Sequence, residues 1–307
     1  MTQNKVKMRK NMKKIKISSN YDTSENLVKR LLYQFKTSDD DISNVEFVYD
    51  DSYDIIVFFN HINCEIKKGA KVYVFPHEPS WSGTHQTNYQ NNVEDITVFG
   101  FNKEIYTPKE VCLESKAHTF YGGRGPWVDK EEDWNYEKLI SHTPVKTKSI
   151  SSVITRLNSD DINPEGNSYK YRYDLNNFLY EKAPFIDFYS GWGEITDPYK
   201  KSSVKDYRFS IAIENQITKN WITEKFFDSI LYNTIPIYFG CTNIKELYPE
   251  NGYFLFEDIT NHEKCLNLIN EIENNSKEIY EEMLPELLKI KQRYFEEHNI
   301  IKKINNL

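Results

Sequence analysis

Lys225 is the residue whose position most needs a chemical explanation. It lies just inside the segment Thr223-Glu-Lys-Phe-Phe-Asp-Ser-Ile-Leu-Tyr232, whose apolar spacing predicts a helix behind a threonine N-cap. A cation in a first turn opposes the partial positive charge of the helix by roughly 0.3–1 kcal/mol. A phosphate would answer both charges, because the free N–H groups of the turn and the ammonium could converge on one anion. Glu214, Asn215 and Glu224 crowd the same stretch and offer partners for sugar hydroxyls or a base edge. Together they point to a nucleotide-sugar site. The plainer alternative is a surface ion pair of Lys225 with Asp228 or Glu224, worth less than about 1 kcal/mol.

Transfer of a sugar also needs a base. The apolar run Lys71–Phe75 ends in Pro76-His77-Glu78-Pro79-Ser80-Trp81. Two prolines restrict this loop, which suits a group that must sit within about 3 Å of a reacting oxygen. Glu78 is the candidate base. His77, nearer to neutral in pKa, is its rival, and a plain loop carboxylate is the alternative. Trp81 offers a ring for an acceptor sugar or for packing. Gly122-Gly-Arg-Gly-Pro126 lacks the flanking strand and helix, and the Lys-Ser/Thr, of a phosphate loop, so it reads as a turn. Asp39-Asp40-Asp41 and Asp160-Asp161 read as solvated turns, and His61 and Cys64 lack further ligands. No metal site is signalled. Four scattered cysteines without a C-x-x-C pair signal neither zinc nor a disulfide framework, and free thiols in a cytoplasmic protein are the plain account.

These residues must be held by an alternation of strands and helices. In the first half, Lys14–Ser18, Val45–Tyr49, Asp54–Phe59, Lys71–Phe75 and Asp95–Phe99 read as short buried strands, with a helix over Ser24–Phe35. Periodicity fades between about 115 and 148, and His142–Lys148 reads as a linker. A second block follows: strands Ser149–Thr155, Phe185–Tyr189, 208–213, 235–239 and Gly252–Phe256, with helices Tyr169–Lys182 and 223–232. His262–Ile272 and Ser276–His298 read as helices, the second broken or bent near Pro285. Two such blocks imply an α/β protein with two doubly wound, Rossmann-like domains, whose ligands sit outside the carboxyl ends of the strands. The expected division is 1–145, 146–280, and a terminal helix 281–307 crossing back to the first domain.

Composition sets limits. At 39% hydrophobic and 15% aromatic, the chain is too apolar for disorder and too polar for a membrane protein. No apolar run approaches the roughly 20 residues a bilayer needs. The aromatic excess fits sugar stacking or core packing. Lys5, Lys7, Arg9, Lys10, Lys13, Lys14 and Lys16 precede the first acid, Asp22. With a net charge of −7, removing these seven positives leaves −14 on the rest. So acidic a body argues against nucleic-acid binding. The basic tip reads as a solvated tail or as a peripheral contact with an anionic membrane surface.

The residue order carries a further signal. Phe209-Ser-Ile-Ala-Ile-Glu214-Asn215, then Thr223-Glu224-Lys225, then Ile235-Pro-Ile-Tyr-Phe-Gly240, continued by Asn243-Ile244 and Gly252-Tyr-Phe254, closely resembles the donor-binding signature of the α-1,3/1,4-fucosyltransferase family, glycosyltransferase family 10. Arg172, followed by Leu175 and Leu179, resembles that family's arginine-headed helix; Ser151-Ser152 and Phe185–Tyr189 fall where its flanking strands lie. The good match covers about 149–260. The resemblance implies a GT-B fold with a central cleft, an inverting mechanism, GDP-fucose as donor, a glycan acceptor and no required metal. Carried over, Arg172 and Lys225 face the diphosphate, Glu224 binds donor hydroxyls, and Asn215 and Trp221 border the sugar and phosphates, with Glu214 and Thr223 in the same signature. The family most often has Tyr where Trp221 stands, which bears on the identity of the sugar. Its glutamate loop runs Glu-Ser-Pro, against Glu-Pro-Ser here. Two alternatives stay open: the same fold with another nucleotide sugar, and a nucleotide- or glycan-binding protein without turnover.

Overall fold

The run Ile55-Ile-Val-Phe-Phe59 has no polar residue to give to solvent, and it lies buried along its whole length as a central strand. The structure, a computed structural model, describes residues 12–20, 22–36, 42–59, 62–75, 96–98, 110–112, 136–143, 145–154, 168–189, 200–297 and 300–307. In the first unit β1 (Lys13–Ser19), α1 (Ser24–Phe35), β2 (Val45–Phe47), β3 (Ile55–Phe59), β4 (Lys71–Phe75), β5 (Ile96–Val98) and β6 (Glu110–Cys112) build a parallel sheet in the order β2-β1-β3-β4-β5-β6. Thr23 caps α1 by accepting from Asn26 N at 3.3 Å, and the helix buries Leu27, Val28 and Leu31.

After α2 (Tyr136–Ser141) the pattern repeats. β7 (Lys148–Val153), α3 (Tyr169–Lys182), β8 (Ile186–Tyr189), β9 (Tyr207–Ile213), α4 (Glu224–Leu231), β10 (Ile235–Phe239), α5 (Ile244–Leu247) and β11 (Phe254–Leu255) give a second parallel sheet, ordered β11-β10-β9-β7-β8. Then come α6 (His262–Asn274), α7 (Ser276–Glu297) and α8 (Ile300–Asn305). In each sheet the chain lays down a strand on one side of the first and then returns to the other. The order therefore reverses between β1 and β3, and again between β7 and β9. Such reversals open a crevice at the carboxyl ends of the strands, where ligands bind. The chain is thus an α/β protein with two parallel sheets.

Three local expectations need correction. α2 forms where periodicity had faded, and the polar edge strand β6 carried no apolar signal. α7 runs through Pro285 without a break. An interior proline costs about 3 kcal/mol, but Tyr280, Leu287, Ile290, Tyr294 and Phe295 on one side of α7 are buried, and α7 packs on α4, β9 and β10. At roughly 1.5–3 kcal/mol per fully buried large side chain, that packing outweighs the proline. Nine of the described tyrosines are buried. Phe226 meets Tyr238 edge-on at 5.0 Å and Tyr253 at 5.5 Å, and Phe227 stacks on Tyr294 at 4.5 Å. Cys241 and Cys265 are buried free thiols and Cys64 an exposed one. No helix among the described residues is long and apolar enough to cross a membrane. Lys5, Lys7, Arg9 and Lys10 lie outside the described residues.

A clasp ties the segment between the sheets to the second unit. Lys146 Nζ donates to the carbonyls of Lys205 and Tyr232 at 2.8 and 2.7 Å and to Thr234 Oγ1 at 2.8 Å. Asn233, in the left-handed region at φ 57°, gives its amide to His142 O at 2.9 Å and takes the Tyr280 hydroxyl on its carbonyl at 2.8 Å. From α7, Lys291 Nζ donates to Asn233 Oδ1 at 2.9 Å and to Leu139 O. Burial at 2% exposure pushes Lys291 down to about 7. Its two acceptors suit the two N–H groups of a neutral amine. A lysine whose folded pKa is depressed favours unfolding while the unfolded chain holds the extra proton, so this cost fades as pH rises above 7. Between pH 7 and 9 wild type is expected to gain about 2 kcal/mol over Lys291→Met in urea unfolding free energy; parallel profiles would remove Lys291 as the titrating group.

Candidate functional site

The second sheet's reversal point is where the chemistry-bearing residues gather. β9 ends at Ile213, and Glu214 and Asn215 follow at its carboxyl edge, next to β7. Two helix starts converge here. Ser168, the N-cap of α3, donates its N–H to Asn215 O at 3.2 Å and its hydroxyl to Glu214 O. That hydroxyl caps no N–H of its own helix. Thr223 caps α4, its Oγ1 accepting from Lys225 N at 3.4 Å.

Glu214 is fully enclosed, at 0% exposure. Its Oε1 accepts from Thr223 N at 2.7 Å and from the Tyr238 hydroxyl at 3.3 Å, and its Oε2 accepts from Thr223 Oγ1 at 2.6 Å. Lys225 Nζ stands 3.7 Å from Oε2. Burial holds the Glu214 carboxyl above the usual carboxylate range, against the pull of Lys225 and the Thr223 bonds. Gly240 makes the enclosure possible. At φ +152° it lies in the region that favours glycine, and a Cβ there would stand 2.4 Å from Glu214 Cγ. Glu214, counted from sequence among the donor-binding residues, is an inward-facing acceptor whose oxygens take bonds from Thr223 and Tyr238.

The cations lie around it. Lys225, its side chain 20% exposed, reaches Glu224 Oε1 at 2.9 Å and Thr223 Oγ1 at 3.1 Å. Burial pulls this ammonium down, but Glu224 and Glu214 outweigh it and hold it above the ordinary lysine range. The sequence alternative of a surface pair is half right: Glu224 is a partner, and the buried Glu214 is another. Arg172, in the first turn of α3, is 4% exposed and lies 5.1 Å over the Tyr169 ring. Burial lowers it, while Tyr169, Glu214 and Glu224 support the charge. Its Nε makes no hydrogen bond among the described residues, and neither does Asn215 Oδ1. Val153, Ser210, Ile213, Lys225, Asp228 and Ser229 line a small pocket at this corner.

The loop between Asn215 and Thr223 is pinned from the far side. Asn220, at φ 61°, donates its N–H to Asn243 Oδ1 at 2.8 Å, and Asn243 Nδ2 returns a bond to Asn220 Oδ1 at 3.0 Å. Trp221 is 1% exposed, its carbonyl taking the Tyr238 hydroxyl at 3.3 Å. The structure thus brings Arg172, Glu214, Asn215, Thr223, Glu224 and Lys225 together. Glu78, His77 and Trp81 lie outside the described residues. Ser168 and Asn220 are supports that the sequence reading did not single out, and Tyr238, Gly240 and Asn243 stood in its quoted signature without a stated role. Gly240 closing an apolar strand was the one local signal among them. Among the described residues no group of three or more His, Cys, Asp or Glu is placed to hold a metal ion. Two cations, Arg172 and Lys225, thus meet two carboxylates, Glu214 and Glu224, at two helix starts, and the first-turn N–H groups of such starts favour an anion.

Comparison with known proteins places the chain in a family. The family model described as glycosyltransferase family 10 (fucosyltransferase) C-term matches residues 137–300. Alpha-(1,3)-fucosyltransferase B of Drosophila melanogaster is 37% identical over 185 residues, which cover 59% of this chain and 34% of that protein. The 4-galactosyl-N-acetylglucosaminide 3-alpha-L-fucosyltransferase 9 of Homo sapiens is 25% identical over 143 residues, covering 45% of this chain and 37% of that protein. The chain therefore spans about a third of the length of these curated relatives. Among solved structures, an alpha1,3-fucosyltransferase superposes with a TM-score of 0.52 at 16% identity, covering 92% of this chain and 83% of the other. A second, with GDP, gives 0.52 at 15% identity, covering 98% and 95%.

Proposed function

Since the chain belongs to glycosyltransferase family 10, we propose that it moves fucose from GDP-fucose to a hydroxyl of a glycan, with inversion at the anomeric carbon. The observation that carries this reading is the pairing of Lys225 and Arg172 at two helix starts on the reversal point of the second sheet. Departure of GDP leaves negative charge on the diphosphate. Fixed cations in a poorly hydrated corner stabilise such charge without reorganising at the moment of reaction. In this reading Lys225 turns from Glu224 to the phosphates, and Glu224 takes hydroxyls of the donor sugar. Asn215 Oδ1 and Arg172 Nε, without hydrogen bonds among the described residues, supply further contacts. Glu78 takes the proton of the acceptor hydroxyl, with His77 as its rival, and Trp81 stacks on the acceptor.

Thermal or urea unfolding with GDP, UDP, ADP and CMP tests the donor. GDP at about 100 times its Kd is expected to add roughly 2.7 kcal/mol of stability, with little shift from the others. Release of GDP from GDP-fucose on adding a glycan acceptor would complete the case. A shift with UDP alone would keep the fold and discard the fucosyl donor. No shift with any nucleotide would favour a protein without turnover.

A further inference from the structure

Carboxylates are among the side chains least often found fully buried, yet Glu214 is enclosed within the anion-receiving corner. A neutral side chain of similar size would fill that space without the cost of desolvating a charge. The directions of the hydrogen bonds suggest why a carboxylate stands there. Thr223 Oγ1 accepts from Lys225 N at 3.4 Å and from Lys225 Nζ at 3.1 Å. Both partners are donors, so the single hydroxyl proton must point elsewhere, and Glu214 Oε2 lies 2.6 Å away. An ionised carboxylate only accepts, so it fixes that proton's direction. Its other oxygen takes Thr223 N, which anchors the backbone of the cap.

We propose that Glu214 is a positioning residue for Lys225: by taking the Thr223 hydroxyl proton, it turns the oxygen lone pairs toward the ammonium and holds that cation at the start of α4. The inference rests on the reading of this corner as the GDP site, and it gives Glu214 no contact with the ligand. Gly240 belongs to the same device, since it alone leaves room for the Glu214 stem. Glu214→Gln keeps the size but reverses the link. Its amide would donate to Thr223 Oγ1, sending the hydroxyl proton toward Lys225. Burial raises the Glu214 carboxyl, and the Lys225 ammonium and the two Thr223 bonds oppose that rise in favour of the charged form.

The test is a double-mutant cycle on GDP affinity, measured by calorimetry on wild type, Glu214→Gln, Lys225→Met and the double variant, each first checked for folding by circular dichroism and urea midpoint. A charge-assisted hydrogen bond is worth about 1.5–3 kcal/mol, or about ten- to a hundredfold in Kd. Glu214→Gln is expected to weaken GDP about tenfold and Lys225→Met about a hundredfold. The double variant is expected to fall within about twofold of Lys225→Met, because a residue acting through another adds nothing once that other is gone. An additive double variant, about a thousandfold weaker, would overturn the proposal while leaving the GDP site intact. Wild-type affinity in Lys225→Met would overturn it as well. Failure of wild type itself to bind GDP would instead bring down the functional reading on which it rests. Should Glu214→Gln not fold, Thr223→Val deletes the same link at nearly the same volume, and the same non-additivity with Lys225→Met is expected.

Discussion

Glu78→Gln is expected to lower kcat for fucosyl transfer by about 10²–10⁴-fold, the usual contribution of a positioned general base, and to leave GDP affinity within about twofold of wild type. The amide keeps the length and planarity of the side chain but cannot carry the acceptor's proton. β4 ends at Phe75, in register with Phe59 of β3, and Glu78 comes three residues later in the sequence. The cation corner belongs to the second sheet, which is why binding and turnover should separate. Steady-state rates with GDP-fucose, alongside a GDP titration, read both quantities. Near-normal turnover in Glu78→Gln, with loss in His77→Gln, would pass the base assignment to His77. A parallel loss of GDP affinity would place Glu78 on the donor instead.

Gly252→Ala is expected to destabilise the second unit by about 3 kcal/mol, at the upper end of the usual overpacking cost. A Cβ at this position would stand 2.5 Å from Leu287 N and 2.6 Å from Leu287 Cα. These are backbone atoms in the middle of α7, so no side-chain rotation relieves the contact. Replacing glycine also restricts the unfolded chain, which favours folding by about 0.4–1 kcal/mol, too little to offset the collision. Urea unfolding should show a lower midpoint with an unchanged slope. A midpoint equal to wild type would mean that α7 can shift away from the loop before β11 at little cost.

Much of the second unit was legible because its signals are local. Thr223 ahead of an apolar spacing marked the start of α4, and Ile235-Pro-Ile-Tyr-Phe239 could only be a strand buried on both faces. Lys225 was legible as an anomaly of charge against dipole. What escaped depends on residues far apart in the chain. Nothing local says that Glu214 turns inward, because the space for it is made by a missing Cβ at residue 240. Lys291 reads as a solvent-facing helix residue until Asn233 and Leu139 O are brought to it. α7 survives Pro285 through tertiary burial, which a local rule about proline does not see. α2, six residues long, is too short to show a period.

The packing of α8 on α1 has a consequence for how the protein is made. Ile300, Ile301 and Ile304 are buried, α8 lies against α1, and Lys13 Nζ reaches Asn305 O across a sequence separation of 292 residues. Ribosomes add about 5–20 residues per second, so roughly 15–60 s pass between synthesis of the first strand and of the helix that covers its neighbour. Through that interval α1 emerges into the cell without one of its packing partners. A nascent chain arrested before residue 300 is therefore expected to be more sensitive to protease in its first hundred residues than the released protein.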